Sequence, residues 1–168
     1  PVQQVLAKVD PDSISSLSEL QAGGIEEFLG EFARKLISRE LQLEKRIHPD
    51  FQGTPLSPVT EERISKEGNL ETFRGVPQTE RSVTSNSLGR ELENFLSDYQ
   101  SIESAKFKVV SIEPKTKDSA HTTLQFQLAG VTKAGYQQQI RSEWEAAWEK
   151  SAQGQWLLVE IEVGSIER

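Results

Sequence analysis

The sequence contains no cysteine, which excludes a disulfide framework, a thiolate nucleophile and any cysteine-ligated zinc or iron–sulfur centre. Its two histidines, His48 and His121, are far apart in the chain, so neither a histidine metal site nor a Ser-His-Asp triad finds support in their spacing. No apolar run approaches the roughly 20 residues that cross a bilayer, and no charged-apolar-small leader stands at the start. Phosphate-cradling glycine loops, nucleophile elbows and EF-hand loops are also missing; Gly23-Gly24 lacks the strand and the lysine that such a loop needs. Methionine is absent, an initiator included, so the chain is expected to be a trimmed piece of a longer, exported precursor. These absences leave no metal, no cofactor and no catalytic residue to name.

What is present describes a folding chain. Hydrophobic residues make up 35% and charged residues 27%, which places the composition with globular proteins rather than disordered ones. A length of 168 residues suits one domain that buries about 70% of its unfolded surface. With 26 acidic against 19 basic residues and a formal charge of −7, the long-range field repels phosphate backbones and anionic lipids. Neither nucleic acid nor a membrane surface is expected as a partner.

Residues 1–24 are rich in Ser, Gln, Asp and Pro and end in Gly23-Gly24, the composition of a linker or arm, with a short helix allowed over Ser13 to Leu20. One α+β domain is expected over 25–168. From Ile25 to about Ile47 apolar residues recur at helical spacing through Phe28, Leu29, Phe32, Leu36 and Ile37. Pro49 is the expected stop for this helix. Residues 52–86, with many Pro, Gly, Ser and Thr, read as irregular structure with one edge strand. Ser87 offers an N-cap for a second helix lined by Leu88, Leu92, Phe95, Leu96 and Tyr99.

The period then changes to two. Thr122, Leu124, Phe126 and Leu128 alternate with polar residues, and Tyr136, Ile140, Trp144, Ala146 and Trp148 alternate with Gln137, Gln139, Arg141, Glu143 and Glu145. Glycines near 135 and 154 supply reversals, so Phe107–Ile112, His121–Val131, Tyr136–Glu149 and Gln155–Val163 are expected to form a four-stranded antiparallel meander. The fold class is therefore α+β, with N-terminal helices packed on a curved C-terminal sheet.

A long first helix, the piece His48-Pro49-Asp50-Phe51-Gln52-Gly53, a second helix and then long alternating strands resemble the nuclear transport factor 2-like, or SnoaL-like, superfamily over about residues 25–163. The resemblance implies a sheet wrapped into a cone around an internal pocket. Members include isomerases, cyclases, dehydratases, noncatalytic binders and dimerising modules, so the resemblance leaves function open. The segments Leu124–Gly130 and Glu143–Trp148 are also similar to accessory domains that precede FG-GAP-type propeller repeats in secreted bacterial proteins. His48-Pro49-Asp50 is the tripeptide of J-domain co-chaperones, but a J domain is all-helical and this chain reads as strand beyond residue 105. A helix end followed by a proline stop accounts for it better.

On the cone reading, a ligand pocket is expected from Phe126, Tyr136, Gln138, Ile140, Ser142, Trp144 and Trp148, one face of paired strands. Enzymes of the superfamily place an Asp, His or Tyr inside the cone; on these strands only Tyr136 qualifies. The other account of the same aromatics is core packing against the helices. Val110, Ile112, Trp156 and Leu158 are expected on the opposite face as an apolar patch, serving self-association or a neighbouring domain of the same precursor, or else covered by the N-terminal arm. Acidic neighbours such as Glu26-Glu27, Glu61-Glu62 and Glu143 with Glu145 read as solvated faces. The leading functional expectation is a noncatalytic association module; the alternative is a binder of a small apolar ligand or a SnoaL-type isomerase, cyclase or dehydratase.

Overall fold

The computed structural model describes residues 11–43 and 45–168. Helix α1 (Pro11–Ser38) presents Ile25, Phe28, Leu29, Phe32 and Leu36 to the core, the stripe that the helical period marks. Of the expected arm, residues 1–10 lie outside the described residues, and 11–24 are helical. Gly24 is no linker glycine: a Cβ there would come within 2.3 Å of the Trp156 ring, so its bareness lets helix and sheet touch.

The helix also ends earlier than Pro49. Arg39 takes a left-handed φ of 60°, Glu40 N–H donates to the Lys35 carbonyl at 3.1 Å, and Arg39 N–H donates to that of Leu36 at 3.4 Å. This is a Schellman stop with arginine where glycine is usual, which is why composition gives no sign of it. His48-Pro49-Asp50 consequently lies in strand β1 (Ile47–Gly53), not at a helix end.

Residues 52–86 are more regular than their composition suggests. Strands β2 (Thr60–Glu67) and β3 (Leu70–Val76) form an antiparallel hairpin around Gly68, whose φ of 61° suits the first position of a two-residue Gly-Asn turn. Short β4 (Val83–Thr84) pairs with β1. Helix α2 (Leu88–Leu96) follows Ser87, whose hydroxyl accepts from the Thr84 N–H at 2.8 Å and does not cap the helix. Tyr99, expected on that helix, opens the next strand.

The four expected strands are all present: β5 (Tyr99–Thr116), β6 (Ser119–Thr132) and β8 (Trp156–Glu167) are longer than expected, and β7 (Gln137–Lys150) has the expected length displaced by one residue. The sheet order is β2-β3-β8-β7-β6-β5, with β1 joined in parallel to β8. The inner face of this curved sheet meets α1. Phe107 stacks on Phe126 at 4.7 Å, Phe126 lies tilted 4.8 Å from Trp144, and Phe28 meets Trp148 edge-on at 4.9 Å; stacked and edge-on pairs are the geometries that aromatic quadrupoles favour.

Two bulges correct the expected outer patch. In β8 the register passes from Glu160 opposite Ala147 to Leu158 opposite Trp148, leaving Val159 as an extra residue that reverses the alternation. Trp156 and Leu158 therefore point inward beside Ile161 and Val163, at 5% and 2% exposure. Trp156 lies under α1 at Gly24. In β5 the extra residue is Val110, so Ile112 packs on the core and Val110 alone stays exposed.

Candidate functional site

The interior of the cone is filled. Leu124, Phe126, Leu128, Ile140, Trp144, Ala146 and Trp148 occupy it, and the void left among Phe28, Phe107, Trp144 and Trp148 is about 10 Å³, the space of a single water at most. Its polar side chains are satisfied: Trp148 Nε1 donates to Thr122 Oγ1 at 2.9 Å, and Ser142 Oγ donates to the Ser165 carbonyl at 3.0 Å. Of the expected pocket residues, Phe126, Ile140, Ser142, Trp144 and Trp148 are brought together as core. Tyr136 is corrected outright. It precedes β7 in the turn, 71% exposed, because the chain reverses around Gly135 (φ 89°) before the inward alternation begins.

Space opens instead at the mouth of the cone, where Gln138 and Ile140 border the packed interior. A cleft of about 340 Å³ lies between the 57–61 segment, the end of α2, and the ends of β7 and β8. Its apolar wall is Phe95, Ile140 and Ile166, and its polar wall is a chain of hydrogen bonds. Gln138 Nε2 donates to the Tyr99 hydroxyl at 3.1 Å. Arg168 Nη1 donates to Gln138 Oε1 at 3.0 Å, and Arg168 Nε donates to Glu61 at 2.8 Å. Arg168 is held further by the Phe73 ring, 4.6 Å from its guanidinium, and by paired backbone hydrogen bonds with Phe73.

Burial raises the Tyr99 phenol above its ordinary value; the Gln138 hydrogen bond and the Arg168 charge oppose this, and Asp98 adds to it. At neutral pH Tyr99 is thus a protonated phenol that already accepts from Gln138 and retains its own O–H to donate. Tyr99, Arg168 and Glu61 were not visible as site residues in the sequence: Tyr99 continues the spacing of α2, and Arg168 and Glu61 are joined only through the sheet. Among the described residues no group of three or more acidic, His or Cys side chains is placed to hold a metal ion, and no helix is long and apolar enough to cross a membrane.

No protein-family model matches the sequence, and no curated protein does either. Solved structures do match. A scytalone dehydratase-like protein from Novosphingobium aromaticivorans superposes with a TM-score of 0.64 at 11% identity, over 90% of this chain and 87% of its own. A hexachlorocyclohexane dehydrochlorinase, LinA type 2, gives 0.61 at 12% identity over 89% and 88%. A nuclear transport factor 2-like superfamily protein from Salmonella enterica serovar Typhimurium gives 0.54 at 12% over 89% and 91%. These structures bear on the cone and leave the likeness to FG-GAP accessory domains as an expectation. The chain has the nuclear transport factor 2-like, or SnoaL-like, fold.

Proposed function

We propose that the protein is a noncatalytic small-molecule binder whose ligand sits in the mouth cleft and not inside the cone. The observation that carries this reading is the contrast between the filled interior and the 340 Å³ cleft beside Tyr99 and Gln138. The cleft's volume falls within the range of small-ligand sites. Its chemistry selects a compact, mostly apolar molecule bearing a carbonyl or hydroxyl oxygen. The Tyr99 O–H donates to that oxygen, and Phe95, Ile140 and Ile166 contact the apolar body. A phenol raised by burial is a donor and not a base at neutral pH, and among the described residues the buried interior side chains include no carboxylate, histidine or lysine to move a proton. The dehydratase and dehydrochlorinase among the similar structures make a reaction inside the cone the alternative.

Acetophenone titrated into the isotope-labelled protein and followed by NMR separates the two. Shifts at Tyr99, Gln138 and Phe95, with binding weakened about three- to tenfold by Tyr99→Phe as one hydrogen bond is lost, support the cleft. Shifts centred on Trp144 and Trp148, or binding indifferent to Tyr99→Phe and Gln138→Leu, overturn it.

A further inference from the structure

Among the described residues strand β5 ends the sheet, pairing with β6 on one side only. Its middle, Phe107-Lys108-Val109-Val110-Ser111-Ile112, combines β-branched and aromatic residues, the composition that favours strand pairing. Val110 is exposed, and Phe107, Val109 and Ile112 only partly covered. A groove of about 460 Å³ runs along this edge, reaching Gly30 and Ala33 of α1 on one face and Lys106 and Lys108 on the other. The inner face of β5 packs on α1 through Phe107 and Phe32, and the small residues Gly30 and Ala33 beside the groove leave the strand's edge approachable.

We infer that β5 is the interface between two copies of this chain, paired antiparallel about a two-fold axis that sets Val109 of one copy opposite Val110 of the other. This surface is separate from the ligand cleft. The bulge supplies the argument. Phe107 and Ile112 are an odd number of residues apart and ordinarily point to opposite faces. With Val110 as the extra residue, both face inward, opposite Phe126 and Thr122 of β6. Antiparallel pairing sets same-face residues opposite each other, and only with that extra residue does this register match faces. Phe107 of each copy then meets Ile112 of the other, Lys108 meets Ser111, and Lys106 meets Glu113, so opposite charges face each other twice.

Edge lysines commonly discourage pairing with other chains; here Lys106 finds an acid in the same register. Within one chain Glu113 already holds Lys115 at 2.8 Å, so Lys106 of the partner copy completes a three-charge cluster. The result is one continuous sheet through both copies with both concave faces on the same side.

Sedimentation equilibrium across the micromolar range tests this, the chain mass being 18.8 kDa. The wild type is expected to reach twice that mass. Lys106→Glu and Glu113→Lys, both at exposed positions, should each raise the dimer dissociation constant by about tenfold or more, since like charges then face each other twice. The double exchange Lys106→Glu with Glu113→Lys should restore it. Lys66→Glu on β2, the other edge, should leave it unchanged. A wild type that stays monomeric, or a dimer indifferent to both single changes, overturns the proposal, as does a double exchange no better than the singles.

Discussion

Gly23 and Gly24 are consecutive in α1 and differ in what surrounds them. Nothing lies within 4 Å of a Cβ built at Gly23, while at Gly24 the Trp156 ring stands at 2.3 Å. Gly23→Ala should stabilise the protein by up to about 1 kcal/mol through helix propensity and unfolded-state entropy. Gly24→Ala should destabilise it by about 1–3 kcal/mol, because the helix must lift from the indole. Urea denaturation of the two variants reads both signs, and equal effects would contradict the packing described here. Tyr99 gives a second residue-scale prediction. Its folded pKa is raised by burial, so the folded protein holds the phenolic proton more tightly than the unfolded chain. The resulting stabilisation is fully present below the ordinary tyrosine value of about 10 and is lost as pH rises through the higher folded value. The stability difference between wild type and Tyr99→Phe should therefore narrow on the alkaline side of that value, as read by denaturation at stepped pH.

At the scale of elements, periodicity carries as far as it stays unbroken. Phe28, Phe32 and Leu36 mark the buried face of α1, and Leu124 to Leu128 and Ile140 to Trp148 mark the inner face of β6 and β7, because each run keeps one period to its end. Three kinds of local event are silent in such a pattern. A Schellman stop made by Arg39 carries no glycine, so Pro49 is the first stop that the sequence displays. The bulges at Val110 and Val159 reverse the alternation without changing composition, so an unbroken period of two puts Trp156 and Leu158 outside. The hairpin β2–β3 does have a signal, Gly68-Asn69, but β2 has every residue exposed and so lacks a hydrophobic alternation to flank it. The candidate cleft was legible only in Gln138 and Ile140. Its other parts come from the 57–61 segment, the end of α2 and the end of β8, brought together by pairing between strands distant in sequence.

For the whole molecule, strand β8 has a position with kinetic weight. It pairs with β7, with β3 and, in parallel, with β1, and Thr54 accepts a hydrogen bond from the Val163 N–H at 2.8 Å across most of the chain. Until residues 156–167 are available, β1 and the hairpin have no sheet to join, and the indole that supports α1 at Gly24 is missing. Loops this long must close before their contacts give any return. Refolding followed by tryptophan fluorescence should therefore be slow for the size of the chain, in milliseconds to seconds, with the Trp156 environment formed in the same phase as the β1–β8 pairing. On a ribosome the same geometry makes the emerging chain a client: the aromatic face of α1, with Phe28 and Phe32, is synthesised early and must stay out of aggregates until the last strand arrives.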